Sequence, residues 1–235
     1  MAMTDHFKAI YAKKASEYER MVSREDYHGN LFAALNELHH LSGATAVDIG
    51  TGTGRLTRLL SFQVAQVIGL DIAPAMLLEA REQMLQSGMN NWSLANADNI
   101  ALPLATNCAD FATEGWSFGH SVGWFPDEWH DKIGAMLDEM RRIVRPGGTI
   151  VLLETLGTGS KSPHPPTDGL AELYHWWEHE QGFQHRWIRT DYQFESVAEA
   201  DELTRFFFGD ELADAIVANQ MDILPECTGI WWQTV

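Results

Sequence analysis

The sequence predicts a doubly wound α/β domain, a parallel sheet with helices on both faces. Three observations carry this. The apolar run TAVDIG breaks into glycines at VDIGTGTGRLTRLL (Val47–Leu60), and Leu56, Leu59 and Leu60 start a helix behind them. A second apolar run, AQVIGLD, ends on the acid Asp71. Strand-like and helix-like segments then keep alternating as far as TIVLLETL, which is the rhythm of βαβ units.

The elements follow in order. YAKKASEYERMVSREDYHGNLFAALNEL reads as two helices joined near Asp26 to Gly29, with Leu31, Leu35 and Leu38 as the apolar stripe of the second. Pro74 opens the helix APAMLLEAREQM, because the first turn does not need the missing N–H. WSLANAD and FATEGW read as strands. Ile133, Leu137, Met140 and Val144 mark one face of a helix between Asp127 and Val144, stopped by the RPGG turn. After Gly157 the rhythm breaks. GTGSKSPHPPTDG is a loop, LAELYHWWEHEQGF an aromatic segment, and RWIRTDYQF alternates like a strand. Ser196 and Glu199 have capping-box spacing for a helix that carries Leu203, Phe206 and Phe207 and ends near Gly209. ILPECTGIWWQTV is a last strand, which Pro225 restricts to an edge or to a bulge at its start; GIWWQTV would then be an exposed pairing edge. The expected organisation is one domain: a helical cap (1–42), a cofactor-binding core (43–157), a lid segment (158–184) and sheet completion with a helical insertion (185–235).

Composition narrows the function. With 235 residues, 45% of them hydrophobic, the chain suits a single globular core. Thirty-three acidic against 16 basic side chains leave a net charge of -17, which repels phosphate backbones and argues against nucleic acid as a partner. The opening MAMTDHFKAI has no apolar core fit for a signal peptide, and no apolar run reaches membrane length. Cys108 and Cys227 stand far apart, outside any CxxC pair, so a reducing cytoplasmic setting is expected.

The glycine loop departs from the dinucleotide fingerprint. Gly50 and Gly52 are in place, but the next glycine is Gly54, and Arg55 fills the slot that should be small. Asp48 would repel a pyrophosphate, whereas it suits the cationic methionine end of S-adenosylmethionine. Asp71 can accept both ribose hydroxyls of either cofactor class.

At these residues the chain resembles the class I S-adenosylmethionine-dependent methyltransferases. VDIGTGTGRL is similar to their first motif and GLDIAPAML to their ribose motif. NADNIALPLATNCADFATEGW is similar to the adenine-contact region, and RRIVRPGGTIVLLE to the turn into the fifth strand. The resemblance spans roughly Ala44 to Glu154. It implies a Rossmann-like sheet of seven strands, mostly parallel with the last antiparallel, and S-adenosyl-L-methionine as cofactor. It places Asp48, Gly50, Thr51 and Gly52 under the amino-acid part, Asp71 on the ribose, and Ile72 and Met76 beside the adenine. Asp98 would accept from the adenine amino group and Asn99 would meet the ring edge. Glu114, Gly115 and Trp116 would pass the methyl donor, with Tyr11 and Tyr18 in a closing helix.

The acceptor side is less legible. His120, in GWSFGHSVGW, is a candidate general base or orienting donor, or else a loop histidine bonded to backbone. An NPPY-like motif and a Pro-Cys nucleophile are both absent, which with the acidic charge points to a small-molecule acceptor. His175, Trp176 and Trp177 offer a lid for a hydrophobic or cationic acceptor; equally, Tyr174 and Trp177 simply pack on the sheet. HWWEH also matches the H-x-x-E-H pattern of a zinc-peptidase group, with His175 and His179 as ligands and Glu178 as base, although no third ligand is identifiable. A third alternative is a methyltransferase-like protein that binds the cofactor without catalysis. Acceptor atom and oligomeric state are not readable from the chain.

Overall fold

The computed structural model describes residues 3–235, so the first two residues of the MAMTDHFKAI opening lie outside it. Along the chain run α1 (Met3–Lys13), α2 (Ala15–Val22), α3 (Asn30–Leu38), β1 (Thr45–Ile49), α4 (Arg55–Ser61), β2 (Gln66–Asp71) and α5 (Pro74–Gln86). Then come β3 (Trp92–Asn96), β4 (Ala109–Gly115), α6 (His120–Trp124), α7 (Trp129–Ile143), β5 (Val144–Thr158) and α8 (Asp168–His179). The last are β6 (Gln184–Arg189), β7 (Tyr192–Gln193), α9 (Val197–Phe207), α10 (Asp210–Asn219), β8 (Ile223–Leu224) and β9 (Glu226–Thr234).

Seven strands form one sheet in the order β3-β2-β1-β4-β5-β9-β6, and β7-β8 make a separate ribbon. The pairings β1–β2, β1–β4, β2–β3 and β4–β5 are parallel, while β9 runs antiparallel to both β5 and β6. This is the expected Rossmann-like sheet with its last strand reversed. Central strands are buried on both faces: Val47 and Ile49 pack towards Ile133, Leu137 and Met140 of α7, and Ala46 towards Leu56 and Leu60 of α4. Strand order reverses between β1 and β4, and at such a switch point the strand ends part to leave a crevice.

Several expectations needed correction. The N-terminal segment forms three helices, because the chain breaks at Lys14 (φ -135°, ψ 40°). The break turns α2 back so that the Tyr11 and Tyr18 rings meet edge to face at 5.6 Å. The junction at Asp26 to Gly29 is present, and the Asp26 carboxylate accepts from the backbone N–H of Asn30 and Leu31 at the start of α3. The α7 helix stops at Ile143, and Val144 pairs with Ala109 as strand. RWIRTDYQF divides at Thr190 and Asp191 into β6 of the main sheet and β7 of the ribbon. The GIWWQTV edge does not exist: β9 lies between β5 and β6, with both of its sides hydrogen-bonded. Pro225 sits in the break between β8 and β9, where a missing N–H costs no ladder bond. The forward half of the capping box is formed, with Ser196 Oγ accepting from the Glu199 N–H, while Glu199 Oε2 reaches one residue further back and accepts from the N–H of Glu195.

Candidate active site: two cavities with a common wall

Above the carboxyl ends of β1, β2 and β4 lies a cavity of about 690 Å³. Beside it, over β5 and β9, lies a second of about 660 Å³. Tyr11, Tyr18, Gly50, Gly52, Gly115, Trp116 and His120 line both. The two spaces therefore meet at the strand ends of β1 and β4.

The glycine loop is held from below. Asp48 is 1% exposed, and its Oδ2 accepts from Thr51 Oγ1 (2.6 Å), Thr57 N (2.9 Å) and Thr57 Oγ1 (2.8 Å). Its Oδ1 is buried without a partner. Burial raises the carboxyl to about 6 against the pull of those hydrogen bonds. Asp48 thus braces the turn into α4 first and keeps one oxygen free. Gly50 has φ +69°, and a Cβ there would meet Ser117 Oγ at 2.3 Å. Gly54 explains the tolerance of Arg55 in the slot a dinucleotide fold keeps small: its own missing side chain lets α4 approach α5, where a Cβ on Gly54 would meet Ala80 Cβ at 3.1 Å. Arg55 points away, stacked 4.5 Å over Trp116 and paired with Glu25.

Asp71 closes the loop from the other strand. Its Oδ2 accepts from Gly52 N at 2.8 Å and its Oδ1 from Ala73 N at 2.7 Å, so each oxygen keeps capacity towards the first cavity. Burial raises its carboxyl and the backbone N–H groups oppose that rise. Ile72, Met76, Asp98 and Asn99 line the same cavity; Met76 is buried, while Ile72 and Asp98 are exposed. Trp116 takes φ +56°, a strained conformation for a bulky residue, where β4 turns into α6.

The remaining expected residues fall in three places. Asp48 and Thr51 line only the second cavity. Glu114 lines neither: it is fully buried, and its Oε2 accepts from Ser117 N and Phe118 N, fixing the turn that carries Trp116. His120 stands in the common wall, stacked on Trp124 at 5.0 Å, with Nε2 2.7 Å from the Tyr11 hydroxyl. Burial lowers its pKa to about 4, so the imidazole is neutral at physiological pH.

Other lining residues were not singled out from the chain. Glu154 and Glu226 line the second cavity with Glu25, Tyr192 and Phe207. The available signal was an isolated acid inside an apolar run, in TIVLLETL and in PECTGIWW. The aromatic segment forms α8, but Tyr174, Trp176 and Trp177 are core rather than lid. Tyr174 packs on Trp231 at 4.5 Å and donates to Thr155 O; of the segment 158–184 the cavity is lined by Thr158, His164, Pro166, Thr167 and Leu170. The zinc alternative loses its base, since Glu178 Oε1 accepts from Trp231 Nε1. Among the described residues no three metal-ligating side chains converge.

Fold and cleft define a Rossmann-like protein with a nucleoside-type cofactor site. Residues 46–148 match the methyltransferase-domain family. The chain is 32% identical over 154 residues to a demethylmenaquinone methyltransferase of Shouchella clausii, covering 64% of this chain and 61% of that one. It is 29% identical over 174 residues to a malonyl-[acyl-carrier protein] O-methyltransferase of Pectobacterium atrosepticum, covering 74% and 58%. It spans less than two thirds of the length of both. A SAM dependent methyltransferase of Aquifex aeolicus superposes over 100% of both chains with TM-score 0.56 at 17% identity. Over residues 46–148 the chain is similar to methyltransferase domains, and its fold is similar to that of an S-adenosylmethionine-dependent methyltransferase. Among the described residues no helix is long and apolar enough to cross a membrane.

Proposed function

We propose that the protein is a methyltransferase that passes the methyl group of S-adenosylmethionine to a small-molecule acceptor. The observation that carries this is the common wall: a donor cavity and an acceptor cavity of similar size open onto each other at Gly115, Trp116 and His120. The cofactor supplies an electrophilic methyl group on a sulfonium. The protein's part is alignment, since displacement at carbon needs donor and acceptor close and in line.

The residues suit the group. Asp71 keeps an acceptor lone pair on each oxygen for the ribose hydroxyls, and Asp98 with Asn99 faces the position of the base. The unpartnered Asp48 Oδ1 lies on the second-cavity side of the common wall and favours a cationic amino-acid end that reaches across it. Ile72 and Met76 flank the adenine, and Gly50, Thr51 and Gly52 carry backbone beneath the cofactor. Glu114 acts as a positioning residue through the Trp116 turn. Neutral His120 orients the Tyr11 hydroxyl, which together with Tyr18 closes the methionine end.

Isothermal titration with S-adenosylmethionine, with NAD run beside it, tests the reading. Saturable binding of S-adenosylmethionine alone, followed by S-adenosylhomocysteine release with an acceptor, is expected. Binding of NAD in its place would overturn the assignment. Binding without turnover across acceptor classes would favour a non-catalytic binder.

A further inference from the structure

The acceptor-side cavity carries more acid than cation. Glu226 is 2% exposed at the start of β9. Its Oε1 accepts from Thr155 Oγ1 at 2.7 Å, while Oε2 is buried and has no partner. Glu25, with its side chain 3% exposed, pairs with Arg55. Arg55 is the cavity's guanidinium, and no lysine lines the space. Glu25, Asp48, Glu154, Glu211 and Glu226 line the space against that guanidinium, which pairs with Glu25 through one nitrogen and leaves Nη2 unpartnered, so the lining holds more acid than cation.

A carboxylate in a dry wall is costly unless it is protonated or paired. Both respond by holding protons: burial raises Glu154 to about 7, and burial with repulsion from Glu25 raises Glu226 to about 8. Aromatic rings line the same cavity: Phe207 packs on Phe7 at 5.2 Å and on Tyr18 at 5.4 Å, with Phe208 beside it. Carboxylates and ring faces in one space attract an organic cation.

We propose that this cavity takes a small amine as its ammonium form, with the charged nitrogen on Glu226 Oε2 and the apolar body on Tyr18, Phe207 and Phe208. The proposal rests on the methyltransferase reading and supplies its acceptor class. An ammonium that reaches Glu226 releases the carboxyl proton to solvent and gives the unpartnered oxygen a donor. One N–H proton then passes to the Glu226 carboxylate, which frees the nitrogen lone pair to attack the methyl carbon as S-adenosylhomocysteine leaves.

The test titrates 2-phenylethylamine and its neutral isostere 2-phenylethanol into the wild type and Glu226→Gln, each with and without S-adenosylhomocysteine. The wild type should bind the amine about tenfold more tightly than the alcohol or better, as a charge-assisted contact implies. Glu226→Gln should lose that preference while binding S-adenosylhomocysteine as the wild type does. Equal binding of the probes, preference for the alcohol, or binding of neither to the wild type overturns the proposal, whether or not the variant folds. A folded variant that keeps the preference overturns it too. S-adenosylhomocysteine titrated alone separates the two claims. Amine preference without nucleoside binding retains the cation site and sinks the methyltransferase reading; the reverse result sinks only the amine.

Discussion

The two cavities that meet at Gly115 and Trp116 are built in opposite ways. The donor side is largely backbone and strand end: the glycine loop after β1, Asp71 closing β2, and the turns after β3 and β4. The acceptor side shares the glycine loop and Gly115, and the rest of its wall is mostly side chain, drawn from α1, α2, α4, α6, β5, α8, β7, α9, α10 and β9. A backbone cradle depends on glycines and one or two acids, so it survives wide change elsewhere. A side-chain wall changes with every substitution, so acceptor choice is free to vary on a constant donor site.

That contrast can be broken at the donor side first. Gly50→Ala forces a Cβ against Ser117 Oγ at a positive φ, and should cost about 2–3 kcal/mol of stability and abolish cofactor binding. Denaturant midpoints and titration read it; a normal midpoint with normal binding would show that the loop is not a tight cradle. Asp71→Ala removes the acceptor of Gly52 N and the proposed ribose contact, for a loss of about 2 kcal/mol, roughly thirtyfold in Kd for S-adenosylmethionine. Near-normal titration would mean that the cofactor sits elsewhere.

Acidity sharpens the picture at the common wall. The folded-state pKa of His120 is depressed to about 4 from 6.5, so the stability tied to its neutral form is present above pH 6.5. It is lost as pH falls towards 4, on the order of 1–2 kcal/mol after allowance for residual exposure. Asp48, Glu154 and Glu226 are shifted upward and carry the opposite sign: their contribution is complete below the ordinary carboxyl range and declines as pH rises through about 6 to 8. In melts between pH 4 and 7 the wild-type advantage over His120→Asn should be largest at pH 7 and shrink by about 1–2 kcal/mol as pH falls to 4; a constant gap would show that His120 does not titrate in this window. The smallest effect is expected from Tyr11→Phe, which loses the 2.7 Å contact to His120. About 1 kcal/mol, near fivefold in cofactor Kd, is the expected loss. An unchanged Kd would remove α1 from the donor site.

Legibility followed the same division. Gly50, Gly52, Asp71, Asp98 and Asn99 lie on short segments whose spacing is set by one βαβ unit after another, and local rules reach that far. Glu226 is 201 residues from Glu25 in sequence, yet both line one cavity. No local pattern encodes that meeting. Trp176 and Trp177 looked available for a lid because a helix repeat shows which residues share a face, not which face the sheet covers. His175 and His179, one turn apart, do face outward.

The alternation of strands and helices, the cradle of glycines and the cofactor class were decided by sequence alone, since backbone sterics and hydrophobic periodicity act over a few residues. The place of β9 between β5 and β6, the break of RWIRTDYQF into two sheets, and the gathering of Glu25, Glu154 and Glu226 were decided only in three dimensions. Strand order and cavity lining depend on which distant surfaces bury each other, and a buried acid becomes recognisable only when its missing partner can be seen.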